Sequence, residues 1–203
     1  MTAPTLRIVA LDLFERGVVL RLPFRFGVVT LTACPQAFVR ARIAIDGREV
    51  EGGSAELLAP KWFDKNLALS NEDNFDQLRQ ALALARDLYL EDTTARTAFG
   101  HSARHYQPHI DACAALQLNP LVAGFGTALV DRAVLDALCG ARGVSFYQAI
   151  THNLPGIDAA LTPDLATFDI PAFLASLRPA TDIEVRHTVG LVDPITEIGR
   201  AHV

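Results

Sequence analysis

The sequence predicts an α+β fold in which an antiparallel β-meander is followed by a bundle of helices. Half of the 203 residues are hydrophobic and a fifth are charged, which is enough apolar surface for one large domain or two small ones. The first sixty residues are rich in aliphatic and β-branched runs that turn signals interrupt. From Ser70 onward, the apolar residues recur at helical spacing instead.

The meander is predicted from its apolar runs and one hairpin signal. Residues 6–22 contain two strand arms, which the turn-like Glu15-Arg16-Gly17 separates. Residues 27–32 and 37–45 predict two further strands. Asp46-Gly47 predicts a tight hairpin into the strand that follows, because both residue types tolerate the backbone of such a turn. Together these segments indicate an antiparallel sheet with one covered face.

Three long helices are predicted after the meander. Ser70 and Asp73 predict a capping box, and apolar residues follow at helical spacing as far as Leu88. Asn119-Pro120 is typical of a helix start, and the helix that it begins is expected to stop at the glycines after Leu138. Between them, residues 92–118 predict a second helix. Its apolar positions are Phe99, Tyr106, Ile110, Cys113 and Leu116.

The last part of the chain predicts short helices and one strand. Residues 145–150 and 172–177 are the helical segments, within a stretch that prolines interrupt. Residues 183–191 have a strand pattern. No later segment of the sequence could pair with that strand.

Composition argues against several classes of partner. The net charge is −5 and no basic patch is visible, so no nucleic-acid partner is expected. Residues 1–4 lack the basic and apolar segments of a secretory signal, and no run reaches the roughly 18 apolar residues of a membrane helix. The three cysteines are widely spaced without metal-type pairing. We therefore expect a soluble, reduced, cytoplasmic protein without a membrane partner.

One histidine series has the spacing of metal ligands. His101, His105 and His109 lie four residues apart, which could place three imidazoles on one helix face. Pro108 would break or kink that helix just before His109. The sequence therefore favours a solvated helix face over a metal site, and no metal ligand is assigned.

Two other features receive no catalytic role. Gly124-Phe125-Gly126 lacks both the third glycine and the preceding strand of a nucleotide-binding loop. Asp131 and Asp136 lie five residues apart on one predicted helix, too far round it to share a face. We expect both carboxylates to be structural or exposed.

Two aromatic-basic clusters, residues 22–27 and residues 59–65, are the candidates for ligand binding. Each has aromatic side chains and a cation where turns usually have polar residues. They could form a hydrophobic plug at the base of the sheet. They could instead line a pocket for an anionic ligand, because cations with aromatic walls suit a carboxylate. The candidate substrate-binding residues are Phe24, Arg25, Phe26, Lys61, Trp62 and Phe63.

Four segments, in this order, carry a family resemblance: residues 22–27, 39–47, 52–56 and 128–138, the last continuing into residues 143–147. Their order and spacing resemble the front half of an enolase-superfamily enzyme of the mandelate racemase/muconate lactonizing type. The resemblance implies an enolase-like capping domain over residues 1–138. A linker and the start of a (β/α) barrel would occupy residues 139–196.

The resemblance also implies a chemistry. In such enzymes acidic residues on the barrel strands hold Mg²⁺, and Lys or His bases remove the proton next to the carboxylate of a small substrate. The parent protein would be an isomerase or lyase (a racemase, cycloisomerase, dehydratase or epimerase) and a homo-oligomer. The two aromatic-basic clusters would lie over the barrel mouth, with Arg25 and Lys61 contacting the distal part of the substrate.

A complete barrel needs about 250 residues, many more than follow Leu138. The resemblance therefore implies a fragment in which residues 183–191 are the first barrel strand. The catalytic residues are unknown, Mg²⁺ is expected only in the full-length parent, and the fragment is expected to be inactive. Residues 198–203 resemble the translation of a sequencing adapter, so residues 197–203 are predicted to be a non-native tail. The alternative is a complete, non-catalytic α+β binding or dimerisation module.

Overall fold

The chain folds as a three-stranded antiparallel sheet followed by helices, which confirms the predicted α+β order. The structure is a computed structural model, and it describes residues 3–27, 29–178 and 180–186. The strands are β1 (Arg7–Phe26), β2 (Val29–Ile45) and β3 (Arg48–Leu57), in the spatial order β1-β2-β3. Buried and exposed residues alternate along much of β2, so the sheet has one covered face, as predicted.

The hairpin between β2 and β3 is confirmed. Ile45 pairs with Arg48, and the two residues between them, Asp46 and Gly47, have φ of 50° and 75°. Positive φ at both central positions is the backbone that Asp-Gly accepts most readily in a two-residue turn.

The predicted turn at residues 15–17 is wrong, because β1 passes through it without a break. Arg16 Nε donates to Gln36 Oε1 on β2 at 3.0 Å, and Glu15 forms an ion pair with Arg79 of the helical layer at 2.8 Å. These cross-strand and sheet-to-helix partners hold an otherwise turn-like sequence in extended backbone. Residues 29–32 and 37–45 likewise belong to one strand, β2.

A bulge shapes the end of β1. Val19 pairs with Ala33 and Phe24 pairs with Leu31, so β1 holds several more residues than β2 over this interval. Pro23 lies in the extra segment, where its missing N–H removes no ladder hydrogen bond. After the bulge, pairing resumes as far as Phe26 opposite Val29. Residues 24–26 are therefore strand rather than turn.

Five α-helices follow within the described residues: α1 (Asn71–Glu91), α2 (Ala98–Ala115), α3 (Pro120–Arg142), α4 (Phe146–Thr151) and α5 (Ile170–Ser176). The capping box of Ser70 with Asp73 and the Asn119 cap are both confirmed. Helix α3 extends past Leu138 to Arg142, where Gly143 ends it in the left-handed conformation.

Helix α3 is the centre of the molecule. It packs on β3 and β2 of the sheet and on α1 and α2 of the helical layer. Many of the residues in its contact surface are small or aliphatic. Among them, Ala133, Ala137 and Leu138 are fully buried. The covered face of the sheet and the inner sides of the three long helices form one core.

The predicted apolar face of α2 is confirmed at Cys113, and Ile110 also packs against the core, but the prediction is wrong at Tyr106 and Leu116. Tyr106 and Leu116 are exposed, whereas His101, His105 and His109 are buried. His101 and His109 face inward because backbone carbonyls outside α2 accept their protons, as described below, and the His105 ring packs against Tyr89. Pro108 lies inside α2 and does not end it.

The predicted strand at residues 183–191 is not confirmed. Residues 183–186 have no regular secondary structure, with Ile183 and Val185 almost fully exposed, and the remainder lies outside the described residues. The predicted tail at residues 197–203 also lies outside them. In the part of the chain that the structure describes, no helix is long and apolar enough to cross a membrane.

Candidate functional site

The two aromatic-basic clusters meet in one open cleft. The cleft has a volume of about 720 Å³ and lies between the end of β1 and the 58–69 loop, which connects β3 to the N-cap of α1. The side chains that define it are Phe26, Lys61, Trp62, Lys65, Leu67 and Leu121. Sequence segments more than thirty residues apart are thus brought together, because the meander returns the chain to the same end of the sheet.

Aromatic rings form one wall of the cleft. Phe26 contacts Trp62 edge to face, with ring centroids 5.9 Å apart, and Phe24 packs against Phe26 at 5.7 Å. The Trp62 side chain is 61% exposed, which is unusual for so large an apolar ring. The cleft therefore offers an aromatic surface that a ligand could cover.

Phe24, Arg25 and Phe63 do not line the cleft, and Phe24 is linked to it only through its contact with Phe26. Phe63 packs against Phe125 of α3 with ring centroids 5.2 Å apart, so it belongs to the core, as the plug interpretation expects. Arg25 lies between Phe24 and Phe26 on the strand, and successive strand residues point to opposite faces. Its contact with a substrate stays a prediction.

The two lysines of the 58–69 loop differ in their surroundings. The Lys61 ammonium donates to the Leu69 carbonyl oxygen at 2.5 Å, so it closes the loop on itself. Among the described residues, no acceptor lies within bonding distance of the Lys65 ammonium. Lys65 is thus the cation available to an anion in the cleft. The second aromatic-basic cluster includes Lys65, but Lys65 is not among the candidate substrate-binding residues that the sequence predicted.

The acidic groups near the loop are held in hydrogen bonds. The Asn66 N–H and the Gln77 amide lower the pKa of Asp64, and hydrogen bonds from Ser70 lower the pKa of Asp73. Both carboxylates stay ionised at neutral pH as anchors of the loop and of the helix cap. Among the described residues, no group of three or more His, Cys, Asp or Glu side chains could hold a metal ion.

Comparisons with known proteins give one structural likeness to report. No family profile and no curated protein matches the sequence. The chain is similar to the crystal structure of a mandelate racemase/muconate lactonizing enzyme-like protein from Rubrobacter xylanophilus, with a TM-score of 0.43 and 16% identity. The match covers 72% of this chain and 34% of that one, so this chain spans about a third of that protein's length.

The three histidines of α2 are core residues rather than a solvated face, so that expectation is wrong. His101 Nε2 donates to the Leu6 carbonyl at 3.0 Å, and His109 Nε2 donates to the Ala123 carbonyl at 2.9 Å. A carbonyl only accepts, so both rings carry their proton on Nε2. Their Nδ1 atoms are buried without a partner among the described residues. The His105 ring instead stacks on Tyr89 at 4.5 Å.

Burial of His105 predicts an acid-sensitive fold. Burial lowers its pKa from 6.5 to about 4, because the folded protein disfavours the charged ring. The unfolded chain therefore binds the proton more tightly, and the stability from the neutral ring is complete above about pH 6.5 and lost as pH falls towards about 4. We expect His105→Phe, which keeps the contact with Tyr89, to flatten this dependence.

Urea denaturation at a series of pH values measures the effect. The wild-type free energy of unfolding should fall by about 1.5 kcal/mol more than that of His105→Phe between pH 6.5 and pH 5. His152→Phe, at an exposed position, is the control and should keep the wild-type dependence. Equal pH dependence in His105→Phe and wild type would contradict the prediction.

The two aspartates of α3 have structural partners. Asp131 accepts hydrogen bonds from Tyr89 Oη at 2.8 Å and Ser102 Oγ at 2.7 Å, which joins α3 to α1 and α2. Burial raises the pKa of this carboxyl to about 6. Asp136 accepts from the Gly53 N–H at 2.8 Å and so joins α3 to β3. Neither carboxylate lies in the cleft.

Proposed function

We propose that this chain is the capping domain of a Mg²⁺-dependent enolase-superfamily isomerase or lyase acting on a small carboxylate. The observation that carries the proposal is the cleft shared by the end of β1 and the 58–69 loop. These are the two segments that the sequence resemblance assigns to the mouth of the barrel. In this proposal the domain closes the barrel, and its cleft holds the part of the substrate distant from the reacting carbon.

The order of elements supports the proposal. Three antiparallel strands precede three long helices, as the resemblance requires of a capping domain. The segment after α3 also exposes large apolar side chains, among which Phe168 and Phe173 are in contact, and exposed apolar surface commonly marks an interface. In the proposal the barrel covers this surface. The exposed side chains are Phe146, Phe168, Phe173, Ile183 and Val185.

The chemistry of the cleft supports a ligand with an apolar body and one anionic group. Phe26 and Trp62 supply aromatic surface, and Lys65 supplies a cation at its edge. Contacts with a distal part of the substrate can still lower the barrier, provided that their binding energy is realised in the transition state. The cleft would then select substrates, and the reaction itself would occur on the barrel.

The described residues do not fit a magnesium site. Mg²⁺ prefers several oxygen ligands, whereas no cluster of three candidate ligands exists in the described part of the chain. Asp64 and Asp73, the acids beside the cleft, are held by their own hydrogen bonds. The metal and the acid/base residues of the proposed reaction would therefore belong to the barrel.

The complete coding sequence of the locus tests the proposal. We expect the reading frame to continue after the codon for Thr196 into a barrel that carries metal-binding acids and a Lys or His base. The complete protein should catalyse Mg²⁺-dependent exchange of the proton next to a substrate carboxylate in deuterium oxide. A reading frame that stops at Val203 would sink the proposal and favour a non-catalytic module.

Substitutions in the cleft provide a kinetic prediction for that complete protein. Removing a charge-assisted contact should cost about 1.5–3 kcal/mol, so Lys65→Ala should lower kcat/KM about 10- to 100-fold. Trp62→Ala should lower it too and shift substrate preference, with metal binding unchanged. Val19→Ala, at an exposed position of β1, is the control. A larger loss in Arg25→Ala than in Lys65→Ala would place the anion on the other face of the hairpin.

A further inference from the structure

Asn74 is a polar residue in a core position, directly beneath the 58–69 loop. It lies in the first turn of α1 and is 3% exposed. Buried polar side chains need hydrogen-bond partners, and those of Asn74 identify what it holds. Its Oδ1 accepts from the Lys61 backbone N–H at 3.1 Å, and its Nδ2 donates to Gln77 Oε1 at 3.0 Å.

The Gln77 contact extends this anchor to the other half of the loop. Gln77 Nε2 donates to Asp64 Oδ2 at 3.0 Å, and Asp64 Oδ1 accepts from the Asn66 N–H at 2.9 Å. A series of hydrogen bonds therefore runs from Asn74 along α1 to the backbone after the tryptophan. Since Asn74 and Gln77 lie one helical turn apart, the rigid helix fixes the spacing of both anchors.

The backbone held by Asn74 is one that few residues adopt unaided. Lys61 has φ of 59°, in the left-handed region that costs a non-glycine residue about 1 kcal/mol. On the far side of Trp62, the Phe63 carbonyl accepts from Asn119 Nδ2 at 3.3 Å. Trp62 thus lies between two residues whose backbones are tied to the helical layer. Its own ring is left exposed against Phe26.

We propose that Asn74 is a positioning residue that fixes the left-handed turn at Lys61 and thereby places Trp62 against Phe26. It sets the shape of the cleft without touching a ligand. Its importance for substrate selection rests on the proposed function. The placement of Trp62 does not, so it can be measured on this chain without any activity.

The test uses the fluorine signal of a single tryptophan. Trp62 is the only tryptophan, so labelling the full chain with 5-fluorotryptophan gives one ¹⁹F resonance. In the wild type, the ring current of Phe26 should displace this resonance from its value in the urea-unfolded chain. In Asn74→Leu, which has a similar size but no hydrogen-bonding group, the displacement should fall by at least half.

Three variants separate positioning from general damage. Asn74→Asp keeps an acceptor for the Lys61 N–H and should retain most of the displacement. Gln77→Leu keeps the bond between Asn74 and the Lys61 N–H but removes the acceptor of Asn74 Nδ2 and the donor to Asp64, so it should lose part of the displacement. Asn153→Ala removes two hydrogen bonds that hold the loop at Ile157 and should leave the resonance unchanged.

The outcomes test the positioning role of Asn74 and the proposed function separately. A folded Asn74→Leu chain with an unchanged resonance would overturn the positioning role. If that variant does not fold, Asn74→Ala takes its place, and an unchanged resonance in the folded Asn74→Ala chain would overturn the role equally. A lost displacement, together with unchanged kinetics of Asn74→Leu in the complete enzyme, would support positioning and contradict the proposed function. A lost displacement of the fluorine resonance, together with a raised KM of Asn74→Leu in the complete enzyme, would support both the positioning role and the proposed function.

Discussion

Gly52→Ala should destabilise the fold by at least about 3 kcal/mol, a large part of the stability of an ordinary domain. Gly52 lies on β3 where α3 crosses it. A Cβ at this position would lie 2.1 Å from the Ala137 nitrogen and 2.5 Å from the Ala133 carbonyl oxygen. Both are backbone atoms of α3, so no side-chain rotation relieves the contact. The helix would have to move away from the sheet.

The neighbouring glycine supplies a matched control. A Cβ at Gly53 would lie 3.7 Å from the Val39 carbonyl oxygen, an ordinary contact. Because glycine lowers the stability of a strand by about 0.5–1 kcal/mol relative to alanine, Gly53→Ala should be neutral or slightly stabilising. Urea denaturation followed by far-ultraviolet circular dichroism compares the two variants. Similar midpoints for both would show that β3 and α3 are not in such close contact.

Gly126→Ala should also destabilise the protein by about 3 kcal/mol or more, because it lies where α3 crosses α1. A Cβ there would lie 2.3 Å from the Ala81 carbonyl oxygen and 2.7 Å from its carbonyl carbon. Ala81 is itself fully buried. The two helices would therefore have to separate, which would open the core beside Leu82.

Substitution of Gly124, two residues earlier on α3, should change the stability of the protein in the opposite direction. Nothing lies within 4 Å of a Cβ at this position. Gly124→Ala should stabilise the protein by up to about 1 kcal/mol, since alanine is the better helix former. Thermal and urea denaturation measure both variants under the same conditions. The prediction fails if the two substitutions change stability in the same direction.

Three local signals of the sequence predicted element boundaries correctly. The capping box of Ser70 with Asp73, the Asn119 cap and the Asp46-Gly47 hairpin all lie where the sequence placed them. Each depends on hydrogen bonds or backbone preferences within a few neighbouring residues. Such preferences are present in the sequence itself and need no distant partner.

Predictions that depended on distant partners were the ones that failed. The segment at residues 15–17 is a strand because Gln36 and Arg79 hold it there. The inward face of α2 carries histidines because Leu6 and Ala123 offer carbonyl acceptors. The hydrophobic pattern of α2 contains no information about those acceptors, so it favoured the wrong face.

The candidate site was predictable in composition but not in arrangement. Phe26 and Trp62 attracted attention because aromatic residues are unusual in exposed loops, and the structure brings them into contact. The sequence could not distinguish Lys61, whose ammonium is bound to a carbonyl, from Lys65, whose ammonium has no acceptor in the described part of the chain. That difference depends on how the loop closes over α1.

The sequence by itself determined that strands precede helices, where α1 and α3 begin, where the β2–β3 hairpin lies, and that one face of the meander is covered. It did so because caps, tight turns and the two-residue strand period are short-range properties. Only the tertiary structure decided which face of α2 is buried, which cation the cleft offers, and why Gly52 and Gly126 leave no room for a side chain. All three features depend on contacts of a few ångströms between residues that are distant in the sequence. Because protein interiors are close-packed, such contacts determine which side chains fit and which face is buried.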